Sequence, residues 1–325
     1  MNMKVLVVLF VFLCVFPLFS TSVSDYVFDS VSLLEKAVTG MMTVGIGSFT
    51  YADKKVGSQL SGFLEEHYSR ALRENNKFNL VERSKLNEIL DEIKLGLSGL
   101  LEEETVIEPG SLRGLQGLIT GRFFDIGMNV AVFVKLIDVE TGTVLADTEI
   151  NIPKNTIPPA VHIVPENYND ALFIIDELSE VDSAPSSDLV VKTWTARGNG
   201  GVYRDGEELV INFYSNRDCY LKIYHIDVNG NTQLIFPNDY INSNHIRAQR
   251  IYKIPDSNSP FTFVLGAPYG AEFIKVVAST LQFNDIETAF ETIGKASSSI
   301  TSRGLGVVQK QEQRAEALIS YTIIE

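Results

Sequence analysis

Glu82 and Arg83 stand side by side in the stretch VERS, between the apolar run Phe78–Val81 and a charged helical pattern. A carboxylate beside a guanidinium serves acid–base chemistry when a histidine, cysteine or second carboxylate completes the set. No such group accompanies the pair in sequence. The four histidines, His67, His162, His225 and His245, are scattered, with no second histidine at ligand spacing and no nucleophile beside them. Serine and aspartate are abundant, but no GxSxG nucleophile elbow occurs. Asn238, Asp239, Asn242 and Asn244 supply oxygens of the kind Ca²⁺ takes, yet only one is anionic, so turn-making is the expected role. Cys219 lies in an apolar strand pattern and reads as a core thiol. Gly45-x-Gly47 invites a dinucleotide reading. That reading needs a third glycine at the head of the next helix, where Thr50 stands, so close packing of a neighbouring element is expected instead. The residues thus predict no catalytic, cofactor-binding or metal site.

The elements around these residues explain them. Phe78, Leu80 and Val81 predict a short strand, Ser84 an N-cap, and Leu86, Ile89, Leu90, Ile93 and Leu97 the buried stripe of a helix. Glu82 and Arg83 then occupy a strand-to-helix junction, where a carboxylate gains from the helix dipole. Upstream, Thr43–Tyr51 reads as a strand, followed by a helix presenting Val56, Leu60, Phe63, Leu64 and Leu72 on one face with His67 at its border. Downstream, three strands follow in GLITGRFFDIG, NVAVFVKLIDVE and VLADTEINI. The alternation Val130, Val132, Val134, Leu136 implies one covered face.

The chain has 325 residues, 45% hydrophobic, with a formal charge of −14. That is length enough for two domains with packed cores, and a balance that disfavours nucleic acid and anionic lipid. Residues 1–22 read as a secretory signal: Lys4, the apolar run Val5–Phe16, Pro17, and small Ser20 and Ser22 before the cut. Cys14 follows bulky Leu13, which departs from a lipoprotein signal, and removal of the signal leaves Cys219 as the single cysteine. No membrane-spanning segment is expected after removal. Residues 23–153 form the first domain. Residues 154–187, rich in proline and with one lysine against six acidic residues, read as a solvated linker. Residues 188–285 read as all-β, with NGN at Asn229–Asn231 as hairpin chemistry, and residues 286–325 as a helix and a last strand. The fold class is therefore α+β: an N-terminal α/β sandwich, a mixed sheet with flanking helices, followed by an all-β sandwich-like domain.

NLVERSKLNEILDEIKLGLSG, then LITGRFFDIG and AVFVKLIDVETGTVLAD, resemble the curli-secretion CsgG family and its flagellar outer-membrane relative, the FlgO family, across Thr43–Ile152. The resemblance implies an α/β sandwich without catalytic residues that works by association in the cell envelope. Two features depart from it: there is no lipid-anchor cysteine, and no hairpin insert for a membrane barrel. The stretch LVINFYSNRDCYLKIYHIDVNGNTQLIFPNDYINSNHIRAQRIYKIP, then FTFVLGAPYGAEFIKVVAST, resembles domain-of-unknown-function family 4384, which implies a β-sandwich module of undefined chemistry. The combined expectation is a non-enzymatic exported envelope protein of the periplasm or outer-membrane periphery, with envelope proteins or a second copy of itself as partners and no cofactor. A subunit of an outer-membrane secretion or flagellar assembly is the alternative, and a hydrolase a more distant one.

Overall fold

A computed structural model describes residues 22–52, 55–82, 114–180, 188–283, 301–302, 305–306 and 312–325. The expected signal up to residue 21, Arg83, the Ser84 cap, the Leu86–Leu97 stripe and the helix expected after residue 286 lie outside the described residues.

The first module pairs two helices with a five-stranded sheet. Helix α1 (Val23–Leu34) buries Val23, Val27, Val31 and Leu34, one face at helical spacing. Its start is held by Ser22, whose backbone N–H and hydroxyl both donate to Asp25 Oδ2, at 2.7 and 2.9 Å. Strand β1 (Met42–Tyr51) leads to helix α2 (Gln59–Glu74) and the short β2 (Phe78–Leu80). Three longer strands complete the sheet: β3 (Gly117–Ile126), β4 (Asn129–Asp138) and β5 (Val144–Pro153). The order is β2-β1-β3-β4-β5, with β1 parallel to both neighbours and β3, β4 and β5 an antiparallel meander. The alternation in β4 does what it implies: Val130, Val132, Val134 and Leu136 are fully buried in one core with Val44, Phe49, Leu60, Leu64, Leu72 and Phe123. Val56 belongs elsewhere. It precedes α2 and bridges Tyr51, so the helical stripe begins at Leu60.

The second module is a β-sandwich. Its strands are β6 (Val191–Thr195), β7 (Gly201–Arg204), β8 (Glu208–Leu209), β9 (Ile211–Ser215), β10 (Cys219–Ile226), β11 (Thr232–Phe236), β12 (His245–Ile246), β13 (Arg250–Ile254), β14 (Phe263–Val264) and β15 (Gly270–Ser279). The short β16 (Thr301–Ser302) and β17 (Leu305–Gly306) pair with each other, and β18 (Arg314–Ile324) ends the chain. One sheet runs β11-β10-β15-β18-β7 with β12 beside β10, the other β13-β9-β6. Ile211 and Phe213 from the smaller sheet meet Leu221, Ile223, Ile274, Val276 and Ile319 from the larger to form the core. The last strand is no appendage: β18 pairs with β15 over ten consecutive residues and with β7 on its other side, so it lies inside the large sheet.

The segment read as a solvated linker does more than connect. After a 3-10 turn (Lys154–Thr156), Ile157 enters the first core, and the backbone N–H of Leu60 donates to the His162 carbonyl at 3.1 Å. In helix α3 (Tyr168–Glu180), Ala171 is fully buried in a cluster with Val56 of the first module and Ile226, Ala271 and Phe273 of the second. Asn167 spans both sides of Ala271: it accepts from the Ala271 N–H at 2.7 Å and donates to the Ala271 carbonyl at 2.8 Å. Ile157, Ala171, Ile174 and Ile175 give this acidic stretch an apolar side, and that side is what packs.

Candidate functional site

The β3–β4 hairpin presents the sheet face turned away from α1 and α2. Ile126 pairs with Asn129, so Gly127 and Met128 alone form the turn. Gly127 has φ +80°, a conformation that suits a residue without Cβ. The tip is braced from below: Asp125 pairs with Lys154 at 2.5 Å, and the Lys154 N–H donates to the Met128 carbonyl at 3.0 Å. Alternation then places Arg122, Phe124 and Ile126 of β3 on one face with Phe133 of β4. Phe124 and Phe133 meet edge-on, centroids 5.7 Å apart, and the Arg122 guanidinium lies within 5.8 Å of both rings. Ile126 is 50% exposed and Met128 85%. A braced turn thus holds two apolar side chains in water beside an arginine and two aromatics. That combination is enriched at protein interfaces.

The chemistry-bearing residues take other places. Glu82 is exposed just past β2. An added Cβ on Gly47 would rest in ordinary contact with Thr120 and Leu118, 3.5 and 3.6 Å away, so β1 runs close to β3 there without requiring the glycine sterically. His67 sits where α1 meets α2, its Nδ1 3.1 Å from Ser24 Oγ and its ring against Phe63. Burial lowers its pKa; the Glu66 carboxylate opposes that shift and Arg70 adds to it. His162 pairs with Glu166 at 3.4 Å and His245 meets the Tyr220 ring edge-on. Asn238 builds its own turn, accepting from the N–H groups of Tyr240 and Ile241 at 3.0 and 2.9 Å. Cys219 is buried in the sandwich core, which pushes its thiol pKa up.

One polar constellation emerges only in three dimensions. Tyr321 donates to Glu272 Oε2 at 2.7 Å, and His225 Nε2 lies 2.8 Å from the same oxygen. The three residues come from the adjacent strands β18, β15 and β10. Glu272 is 5% exposed and Tyr321 1%; burial, reinforced by the Glu272 charge, pushes the Tyr321 pKa well up, so the phenol stays protonated. Glu272 is thus the shared partner of both Tyr321 and His225, which satisfies its buried carboxylate.

Comparison with known proteins agrees with this division. Residues 34–131 match the family described as curli production assembly/transport component CsgG, and residues 202–282 match the domain of unknown function DUF4384. No curated protein matches. Among solved structures, the chain is similar to the LpoB C-terminal domain from Salmonella enterica, at 17% identity over 40% of this chain and 98% of that one, with a TM-score of 0.31. It is also similar to lipoprotein GNA1162 from Neisseria meningitidis, at 8% identity over 44% of this chain and 99% of that one, with a TM-score of 0.26. The first module is CsgG-like and the second DUF4384-like. Among the described residues, no helix is long and apolar enough to cross a membrane.

Proposed function

We propose that this protein is a non-enzymatic, exported component of the bacterial cell envelope that works by associating with other envelope proteins. The observation that carries the reading is the braced β3–β4 tip, with Ile126 and Met128 in water beside Arg122, Phe124 and Phe133. Keeping such side chains exposed has no folding benefit, whereas covering them with a partner recovers the cost of hydrating them. The CsgG-family match over residues 34–131 supports the compartment. The alternative, a subunit lining a secretion channel, needs strand pairs of about nine to eleven residues that leave the domain for the bilayer. The two-residue turn at Gly127–Met128 offers no such pair, and the chain after β5 passes into a 3-10 turn instead. The first test is fractionation with intact-mass analysis. The protein is expected outside the cytoplasm, without residues 1–22 and without a lipid. A cytoplasmic chain retaining Met1 would exclude the reading.

A further inference from the structure

Strand β5 ends the first sheet: β4 bonds one side of it, and the other side is an edge. At ten residues it is twice as long as the edge strands β6, β11 and β13. The bond from the Lys154 N–H to the Met128 carbonyl, one step beyond the Asn129–Pro153 pair, fixes which residues face which way. In an antiparallel pair, residues that exchange hydrogen bonds alternate with residues that do not. Ile152, Ile150 and Thr148 therefore bond to β4, whereas the N–H and C=O groups of Asn151, Glu149 and Asp147 point outward. Pro153 falls in the outward set, where a residue with no N–H interrupts no ladder. Among the described residues, no backbone hydrogen bond reaches this edge.

Side chains are placed on both sides of the edge. Asp147, Glu149 and Asn151 are exposed on the sheet face turned away from the helices, and among the described residues neither carboxylate is in an ion pair. On the opposite face α1 packs over β5 while α2 packs over β1 and β2, so the flank of α1 away from α2 looks past the edge. Ser24, which meets His67 of α2, marks one flank. By helical spacing Tyr26 and Leu33 fall on the other, and Leu33 is 46% exposed. A strand added here would carry its side chains alternately toward two carboxylates and toward Tyr26 and Leu33.

A second copy of the chain is the wrong occupant. In the two registers of longest overlap, antiparallel pairing of β5 with itself sets Asp147 against Glu149, or Glu149 against Glu149. Like charges directly opposite destabilise a ladder. The same carboxylates favour a strand with lysine or arginine at every second position. We infer that the β5 edge takes up an extended segment of another polypeptide, alternating basic and apolar residues, as a sixth strand. This edge is separate from the β3–β4 tip and does not depend on it.

Fluorescence anisotropy of a labelled peptide alternating lysine and valine, titrated with the full exported chain, tests this. Saturable binding is expected, and it should be abolished by N-methylation of the lysine backbone nitrogens, which removes the ladder donors and keeps the charge. Asp147→Lys combined with Glu149→Lys should weaken binding at least about tenfold and admit a glutamate–valine peptide instead. Met128→Ala should leave binding unchanged, which separates the edge from the tip. Should the double variant lose its far-ultraviolet dichroism, Leu33→Lys replaces it, with weakened binding again expected. No anisotropy change and no calorimetric heat at millimolar peptide would overturn the inference. So would equal binding of the N-methylated peptide, unaltered affinity in a folded edge variant, or loss of binding in Met128→Ala.

Discussion

Gly57 and Gly200 face each other where the two modules meet. A Cβ on Gly57 would lie 2.9 Å from the Gly200 carbonyl oxygen and 2.5 Å from Val202 Cγ2; one on Gly200 would lie 2.5 Å from the Lys55 carbonyl oxygen. The approach is stitched by polar contacts: Ser48 Oγ donates to the Arg197 carbonyl at 2.8 Å, Thr322 Oγ1 to the Gly57 carbonyl at 3.1 Å, and Ser320 Oγ to the Lys55 carbonyl. At the rim Arg204 pairs with Glu66 at 2.7 Å.

Gly200→Ala is expected to destabilise the protein by about 2–4 kcal/mol, because φ is +77° there and the methyl meets the Lys55 backbone as well as Thr50 Cγ2 at 2.6 Å, so a turn of the Thr50 side chain alone would not clear it. Urea unfolding followed by far-ultraviolet dichroism measures it. The native chain should unfold in one transition that this substitution moves. Two transitions, neither moved, would show that the glycine contact joins nothing.

Tyr68 tests the first core. Its ring stacks on Phe49, centroids 4.9 Å apart, and its hydroxyl donates to the buried Ser30 Oγ at 2.8 Å. Tyr68→Phe keeps the packing and leaves Ser30 without its donor, so a loss of about 1–3 kcal/mol is expected. Tyr68→Ala adds a cavity and should cost about 3–5 kcal/mol. Equal losses in the two variants would mean that ring packing contributes nothing at this position.

Sequence revealed the elements that obey a local period and little of what joins them. The alternation in β4 and the stripe Leu60, Leu64, Leu72 were legible because one face of each element is buried against a single core. The turn after β10 was legible from its Asn-Gly chemistry, with Asp227 accepting from the Asn229 and Asn231 N–H groups. Helix α1 was not singled out, although Val23, Val27, Val31 and Leu34 carry the signal; the stripe begins directly after the signal-like segment. The place of β18 inside the sheet could not be read, since pairing partners distant in sequence leave no local pattern. The same holds for Glu272, His225 and Tyr321, separated by 47 and 49 residues, and for the meeting of Gly57 with Gly200. In the segment after β5, prolines and acidic residues dominate the composition while a few apolar residues decide the packing.

His67 gives a pH dependence of known sign. Burial, the largest cause, lowers its folded pKa below the ordinary value of about 6.5. The unfolded chain therefore binds the proton more readily. The stability His67 contributes is full above about pH 6.5 and falls as pH drops through the folded value. His67→Gln should flatten the decline in melting temperature as pH falls below about 6.5. An unchanged slope would place the titration elsewhere.

The central claim, association through the β3–β4 tip, is tested most directly by a photo-crosslinking amino acid at position 128 of the exported chain in living cells. Val264, 61% exposed on the second module, serves as the comparison site. The account predicts a discrete adduct from position 128 with an envelope protein or a second copy of the chain, weakened by Arg122→Glu and absent from position 264. No adduct at position 128, or the same adducts from both sites, would contradict it.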